Sequence, residues 1–225
     1  MHPEVLVEHI RKMKEATDKP WGINVPLLYP EIDRLMNIII QEGVKIVFTS
    51  AGSPKKWTPL LKSHGITVVH VISSTLFAKK CEEAGVDAVV AEGFEAGGHN
   101  GREETTTLTL IPNVVESCSL PVIAAGGISS GKSVAAAMTL GAEGVQIGTR
   151  FAVAAESSAH PTFKQRVFDT EEGGTMLALK KLAPTRLIKN DFFNQVKALE
   201  DAGAEAAQLT ELLGKGRAKK GIFEG

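Results

Sequence analysis

Cysteine is scarce: only Cys81 and Cys118 occur in the 225 residues. Both fall in helix-like segments and neither has metal-ligand spacing, so a disulfide framework and a thiolate metal site are excluded. Two unpaired, buried thiols fit a reducing cytoplasm. An excess of one charge sign is also missing. The 25 basic and 26 acidic side chains leave a formal net charge of -1, which offers no electrostatic footprint for nucleic acid or an anionic membrane. No apolar run approaches the roughly 20 residues that span a bilayer. The opening Met1-His2-Pro3-Glu4-Val5-Leu6 lacks the basic region and apolar stretch of a signal peptide. These absences predict a cytoplasmic protein without nucleic-acid or membrane partners.

What is present is enough apolar material for one sizeable core, at 43% of residues, in a chain whose length suits one domain. Short β-rich runs at 21–25, 45–49, 67–72, 88–91, 122–125 and 144–147 alternate with helix candidates at 3–16, 30–42, 54–64, 75–84, 108–118 and 130–140. The apolar stretch Pro121-Val122-Ile123-Ala124-Ala125 reads as a strand buried on both faces, as in a parallel sheet. Gly43, Gly85 and Gly141 each follow a helix candidate and open the next strand, where glycine ends the helix at little steric cost. The repeated beat of helix, glycine, strand and loop is that of βα units. Six strands also suit a doubly wound sheet, but the motifs below favour a barrel. After Phe151 the chain reads as helical around 161–169, 174–182, 190–202 and 204–214. The basic, glycine-rich stretch from Gly214 to Gly221 reads as a solvated tail rather than a phosphate site.

Two successive strand ends carry the clearest chemical signal. They are Ala124-Ala125-Gly126-Gly127-Ile128 and Gln146-Ile147-Gly148-Thr149-Arg150. Glycines there let backbone N–H groups approach a ligand, and a phosphate held by such amides needs no cationic side chain. One Gly pair alone would read as a tight βα turn. Two adjacent strand ends of this kind favour a phosphate site, which (β/α)8 barrels build after strands 7 and 8. A second signal is Glu92-Gly93-Phe94-Glu95-Ala96-Gly97-Gly98-His99-Asn100-Gly101. Its glycines can lie close to a flat ligand and present the imidazole of His99, the side chain suited to proton transfer near neutral pH. The other histidines read as surface positions (His2, His9, His64), a core position (His70) and a helix start (His160). Asn24, at the end of the first run, reads equally as a ligand contact or as a cap of the next helix.

Together these residues resemble the nitronate monooxygenase family, formerly the 2-nitropropane dioxygenases, and its relatives the flavin-dependent enoyl-acyl carrier protein reductases. The resemblance runs from about Lys19 to Phe151 through Pro20-Trp21-Gly22-Ile23-Asn24, Glu95-Ala96-Gly97-Gly98-His99, Ala124 to Ile128 and Gln146 to Phe151. It implies a (β/α)8 TIM barrel with FMN at the carboxyl ends of the strands. Asn24, Glu92, Gly97, Gly98, Gly126, Gly127, Gln146, Ile147, Gly148 and Thr149 would contact the FMN, and His99 would be catalytic. Glu92 stands where the family often has Gln. Family members begin with two further βα units and continue past position 225. The six strands are therefore expected to be strands 3 to 8, in a chain truncated at both ends. Residues 1–151 would form the FMN-binding core and 152–225 a helical extension of the same domain, serving as a lid, a homodimer contact or both.

The implied activity is oxidation of alkyl nitronates to carbonyl compounds and nitrite with O2, His99 acting as base or hydrogen-bond donor. An alternative is reduction of an enoyl thioester by NAD(P)H, since residues 93–107 are especially like the reductase branch. A third reading is an inactive barrel fragment, or one that only binds a phosphate ligand.

Overall fold

The computed structural model of the protein describes residues 2–214. The basic stretch from Lys215 to Gly221 lies outside them. The strands are β1 (Ile23–Pro26), β2 (Ile46–Ser50), β3 (Thr67–Ile72), β4 (Ala88–Glu92), β5 (Gly98–His99), β6 (Val122–Ala125), β7 (Gly144–Gln146), β8 (Thr175–Ala178) and β9 (Thr185–Ile188). The first helices are α1 (Pro3–Ala16), α2 (Ile32–Gln41), α3 (Thr58–Ser63), α4 (Thr75–Glu83) and α5 (Thr107–Ser117). They are followed by α6 (Gly131–Thr139), α7 (Thr149–Ala152), α8 (Pro161–Phe168), α9 (Asp191–Asp201) and α10 (Ala206–Leu213).

Six strands form one sheet in the order β1-β2-β3-β4-β6-β7. The order follows the chain without reversal, whereas a doubly wound sheet turns back at a switch point. All six strands and the helices between them stand where the sequence pattern puts them, most with shifted ends. The helix expected over 54–64 starts only at Thr58. Pro59 in its first turn has no N–H to donate backwards, so the helix begins there.

The contacts divide the chain into two compact units, Met1–Ala91 with Asn113–Ile123, and Glu92–Pro112 with Ala124–Gly225. In the first, β1 to β4 pair in parallel. Their register sets Val25, Thr49, His70 and Val89 side by side. Val47, Val68, Leu61, Leu35, Met36 and Ile39 are fully buried, as expected where helices cover a parallel sheet. Ion pairs from Arg34 to Glu4 and from Lys14 to Glu42 tie α2 and its C-terminal end to α1. Cys81 is buried and Cys118 half-buried, and both are free thiols. Burial, with a contribution from Cys118, pushes the Cys81 thiol up to about 12, which keeps it unreactive.

The second unit corrects the sequence reading. The helix expected over 174–182 is instead β8, antiparallel to β9 with Thr175 opposite Ile188 and Ala178 opposite Thr185. Met176, Leu177, Ala178 and Leu179 favour a helix locally. Gly173, with φ of 73°, and Pro184 bracket the stretch, and cross-strand pairing overrides the local preference. The ribbon is one wall of a core in which Ala178, Leu179 and Leu187 pack with Phe192, Phe193 and Val196 of α9 and Leu209 and Leu213 of α10. Among the described residues no helix is long and apolar enough to cross a membrane.

Candidate functional site

Every expected site residue except Asn24 belongs to the second unit. There β6 ends in Gly126 and Gly127, with φ of 100° and 66°, conformations that side-chain-bearing residues rarely adopt. A Cβ on Gly126 would fall 2.7 Å from the Gly93 carbonyl oxygen and 2.9 Å from Thr107 Oγ1. Gly127 is exposed, and its N–H has no partner among the described residues. The helix that follows serves itself first. Ser130 caps α6, and Ser133 Oγ accepts the N–H groups of Ser129 and Ser130 at 3.1 and 2.9 Å.

The second strand end repeats the pattern. Beyond β7, Ile147 is half-buried and Gly148 and Thr149 are exposed. Neither Gly148 nor Thr149 has an N–H partner among the described residues. A Cβ on Gly148 would meet no atom within 4 Å, and its φ is -92°. Close packing within the protein therefore does not call for glycine at this position, and the space above its backbone is open.

His99 is not on a free loop. Gly98 and His99 form β5, paired antiparallel with Arg186 and Thr185 of β9. The Asn100 N–H donates to the Pro184 carbonyl at 2.8 Å. Its side-chain Nδ2 donates to the carbonyls of Ala96 and Gly98 at 2.8 and 3.0 Å, holding the backbone on both sides of Gly97. Arg186 donates to the Phe94 carbonyl through Nε and Nη2 at 3.2 and 2.8 Å, with its guanidinium 4.7 Å above the Phe94 ring. Arg102 donates to the Lys180 and Leu182 carbonyls at 3.2 and 2.8 Å. The imidazole is exposed and lines a cavity of about 290 Å³ together with Leu179, Leu182, Ala183, Thr185 and Leu213.

Glu92 closes β4. It is half-buried and has no side-chain hydrogen bond or ion pair among the described residues. Burial pushes its carboxyl up to about 7. A protonated carboxyl both donates and accepts, as a Gln amide does. Gln146 is half-buried on β7. Asn24 stands exposed on β1 of the first unit. His70 is buried beside Thr49, with Nδ1 2.6 Å from the hydroxyl, and is a core residue. His160 accepts the Thr162 N–H at 3.2 Å, at the start of α8.

Four residues that structure this region carry no site role in the sequence reading: Glu95, Asn100, Thr107 and Arg186. Glu95 lies inside the glycine motif and Thr107 in a run of three threonines, but nothing in the pattern says that they meet. Arg186 lies between the helix candidates 174–182 and 190–202, where the sequence reading places no strand, and it belongs to β9.

The chain matches the family model described as nitronate monooxygenase over residues 1–224. It is 32% identical to a probable nitronate monooxygenase of Staphylococcus saprophyticus, over 96% of this chain and 66% of that protein. Among solved structures it is similar to FabK from Thermotoga maritima, with a TM-score of 0.91 and 39% identity over 99% of this chain and 70% of that one. A nitroalkane oxidase from Streptomyces ansochromogenes follows, with a TM-score of 0.81 and 26% identity over 97% of this chain and 76% of that one. The chain spans between half and two thirds of the length of the curated relatives it matches. The shared α/β fold, the agreement along almost the whole chain and the glycine-lined strand ends lead to one conclusion: this chain belongs to the nitronate monooxygenase family.

Proposed function

We propose that the chain is the FMN-binding part of an oxidoreductase that oxidises small alkyl nitronates. One observation carries the reading: two successive strand ends expose N–H groups at Gly127, Gly148 and Thr149 that have no partner among the described residues, in the same unit as a stapled, exposed His99. Backbone donors of that kind suit a phosphate. Gly97, exposed next to β5, puts no side chain between the backbone and a flat ring. Glu92, protonated below its raised value of about 7, and Gln146 offer hydrogen bonds to its polar edge. Asn24 enters the proposal through the family likeness.

FMN, when bound, supplies the acceptor for the nitronate's electrons and their passage to O2, with a carbonyl compound and nitrite as products. The protein's part is orientation and proton handling. His99 removes the proton from the carbon of a neutral nitroalkane, or donates a hydrogen bond to the oxygen of a preformed nitronate. Its backbone is held on both sides by β9 and Asn100, so only the side-chain torsions remain to be set when substrate arrives. Replacing His99 with Asn is expected to leave flavin bound and to slow turnover of neutral nitroalkanes by about 10²- to 10⁴-fold. Preformed nitronates, which need no deprotonation, should suffer less. Equal turnover of both substrates by variant and parent would remove His99 from the chemistry.

The higher identity to FabK than to the nitroalkane oxidase favours a second reading, reduction of an enoyl thioester by NAD(P)H. A visible spectrum of the purified chain, followed by anaerobic addition of NADPH and then of ethyl nitronate, separates the two. A yellow protein bleached only by the nitronate supports the first reading. Bleaching by NADPH moves the assignment to the reductase, and a colourless folded protein that takes up no FMN overturns both.

A further inference from the structure

Three segments of the second unit meet at Thr107, the first residue of α5. Its N–H donates to both Glu95 carboxylate oxygens, at 3.2 and 2.9 Å. Its Oγ1 lies 2.9 Å from Glu95 Oε2, 3.0 Å from the Gly126 carbonyl oxygen and 3.4 Å from that of Ala125. The Gly93 N–H also donates to the Ala125 carbonyl, at 2.9 Å. The junction admits no extra atom. A Cβ on Gly93 would fall 2.0 Å from Thr107 Oγ1, and one on Gly127 would fall 3.2 Å from Glu95 Cβ.

The threonine hydroxyl has one proton and three acceptors around it. Glu95 already receives the Thr107 N–H through both oxygens, whereas the Gly126 carbonyl has no other donor among the described residues. Thr107 Oγ1 shares its proton between Glu95 Oε2 at 2.9 Å and the Gly126 carbonyl at 3.0 Å, and Glu95 holds Thr107 against that carbonyl. No peptide bond is cis, and in a planar trans peptide the C=O and the following N–H point in opposite directions. With the Gly126 oxygen drawn to Thr107, the Gly127 N–H is turned away from it, to the side where it finds no acceptor among the described residues.

We propose that Glu95 and Thr107 are positioning residues that fix the Gly126–Gly127 peptide so that its N–H faces the phosphate of the ligand. The proposal rests on the reading of that ligand as FMN. Neither side chain touches the ligand in this arrangement; both act through the peptide plane. Without them, two adjacent glycines leave the peptide free to rotate, and the anion must order it on binding.

The test compares dissociation constants for FMN and for riboflavin, which lacks the phosphate, in the full chain and in Thr107→Val, Thr107→Ser and Glu95→Gln. Thr107→Val is expected to lose about 10- to 100-fold in FMN affinity, the scale of one hydrogen bond to a charged group. Its riboflavin affinity should stay within about threefold. Thr107→Ser restores the hydroxyl and should recover most of the FMN affinity. A loss equal for both flavins, or no loss, overturns the proposal while leaving the flavin reading intact. A parent chain that binds FMN no better than riboflavin removes the phosphate site and the proposal with it. The amide of Gly127 gives a ligand-free readout: its nitrogen chemical shift should move in Thr107→Val and return in Thr107→Ser. Glu95→Gln, which keeps the packing, decides the matter should Thr107→Val fail to fold.

Discussion

At the scale of single residues, the glycines of the site divide by what a side chain would meet. The sequence flagged Gly97, Gly98, Gly126, Gly127 and Gly148 alike, because spacing alone does not separate a glycine required by packing from one required by a ligand. Gly93 is of the first kind, since its Cβ would overlap Thr107 Oγ1, N and Cα at 2.0 to 2.6 Å. Gly148 is not, with open space above it, and only the proposed ligand site gives it a reason to be glycine. Gly93→Ala is therefore expected to cost about 1–3 kcal/mol or more of stability, as overpacking does. Gly148→Ala should change stability by less than about 0.5 kcal/mol yet weaken FMN binding measurably. Urea unfolding paired with flavin titration checks both. A Gly148→Ala variant that binds FMN as tightly as the parent would remove that strand end from the site.

At the scale of elements, the parallel strands were legible and the antiparallel ribbon was not. Short β-rich runs announce β3 and β6 with their ends in place. In β8, by contrast, Met176, Leu177 and Ala178 carry a helical preference that only the pairing with β9 overrides. The ribbon changes the surroundings of His99. With 174–182 read as helix, the His99 segment looked like a free loop, whereas β9 and Arg186 hold it in place. Arg186 spans the Phe94 carbonyl and the Thr175 hydroxyl with one planar fork. Lysine, with a single ammonium, cannot reproduce that geometry. Arg186→Lys is expected to speed amide hydrogen exchange across residues 94–100, leaving Phe193, Val196 and Leu209 of the neighbouring core protected. Unchanged exchange at 94–100 would mean that the β5–β9 ladder and Asn100 suffice.

At the scale of the whole molecule, two buried ionisable groups set opposing pH dependences that no sequence pattern announces. Periodicity places His70 in a strand and Glu92 at a strand end, but the degree of burial follows from tertiary packing. Burial lowers His70 to about 4, against a smaller opposing effect of a hydrogen bond with the Gly52 backbone. The folded state keeps this histidine neutral. Its contribution is present above the ordinary value of 6.5 and is lost as pH falls from there toward 4. Glu92, raised to about 7 by burial, contributes fully below its ordinary value of 4.5 and loses that contribution as pH rises through 7. Each shift amounts to about 3 kcal/mol over its full range, and between pH 5 and 7.5 each varies by about 2 kcal/mol with opposite sign. The parent chain should therefore show almost no net pH dependence from this pair in that interval. The lowered carboxylates Glu4, Glu8, Glu42 and Glu82 titrate below it. Glu92→Gln is expected to unmask the histidine, so that stability falls by about 2 kcal/mol from pH 7.5 to 5. His70→Gln should unmask the carboxyl and reverse the sign, whatever its cost at a single pH. Urea midpoints at the two pH values read both slopes. Parallel slopes in the two variants would show that Glu92 and His70 are not held neutral by burial near pH 6.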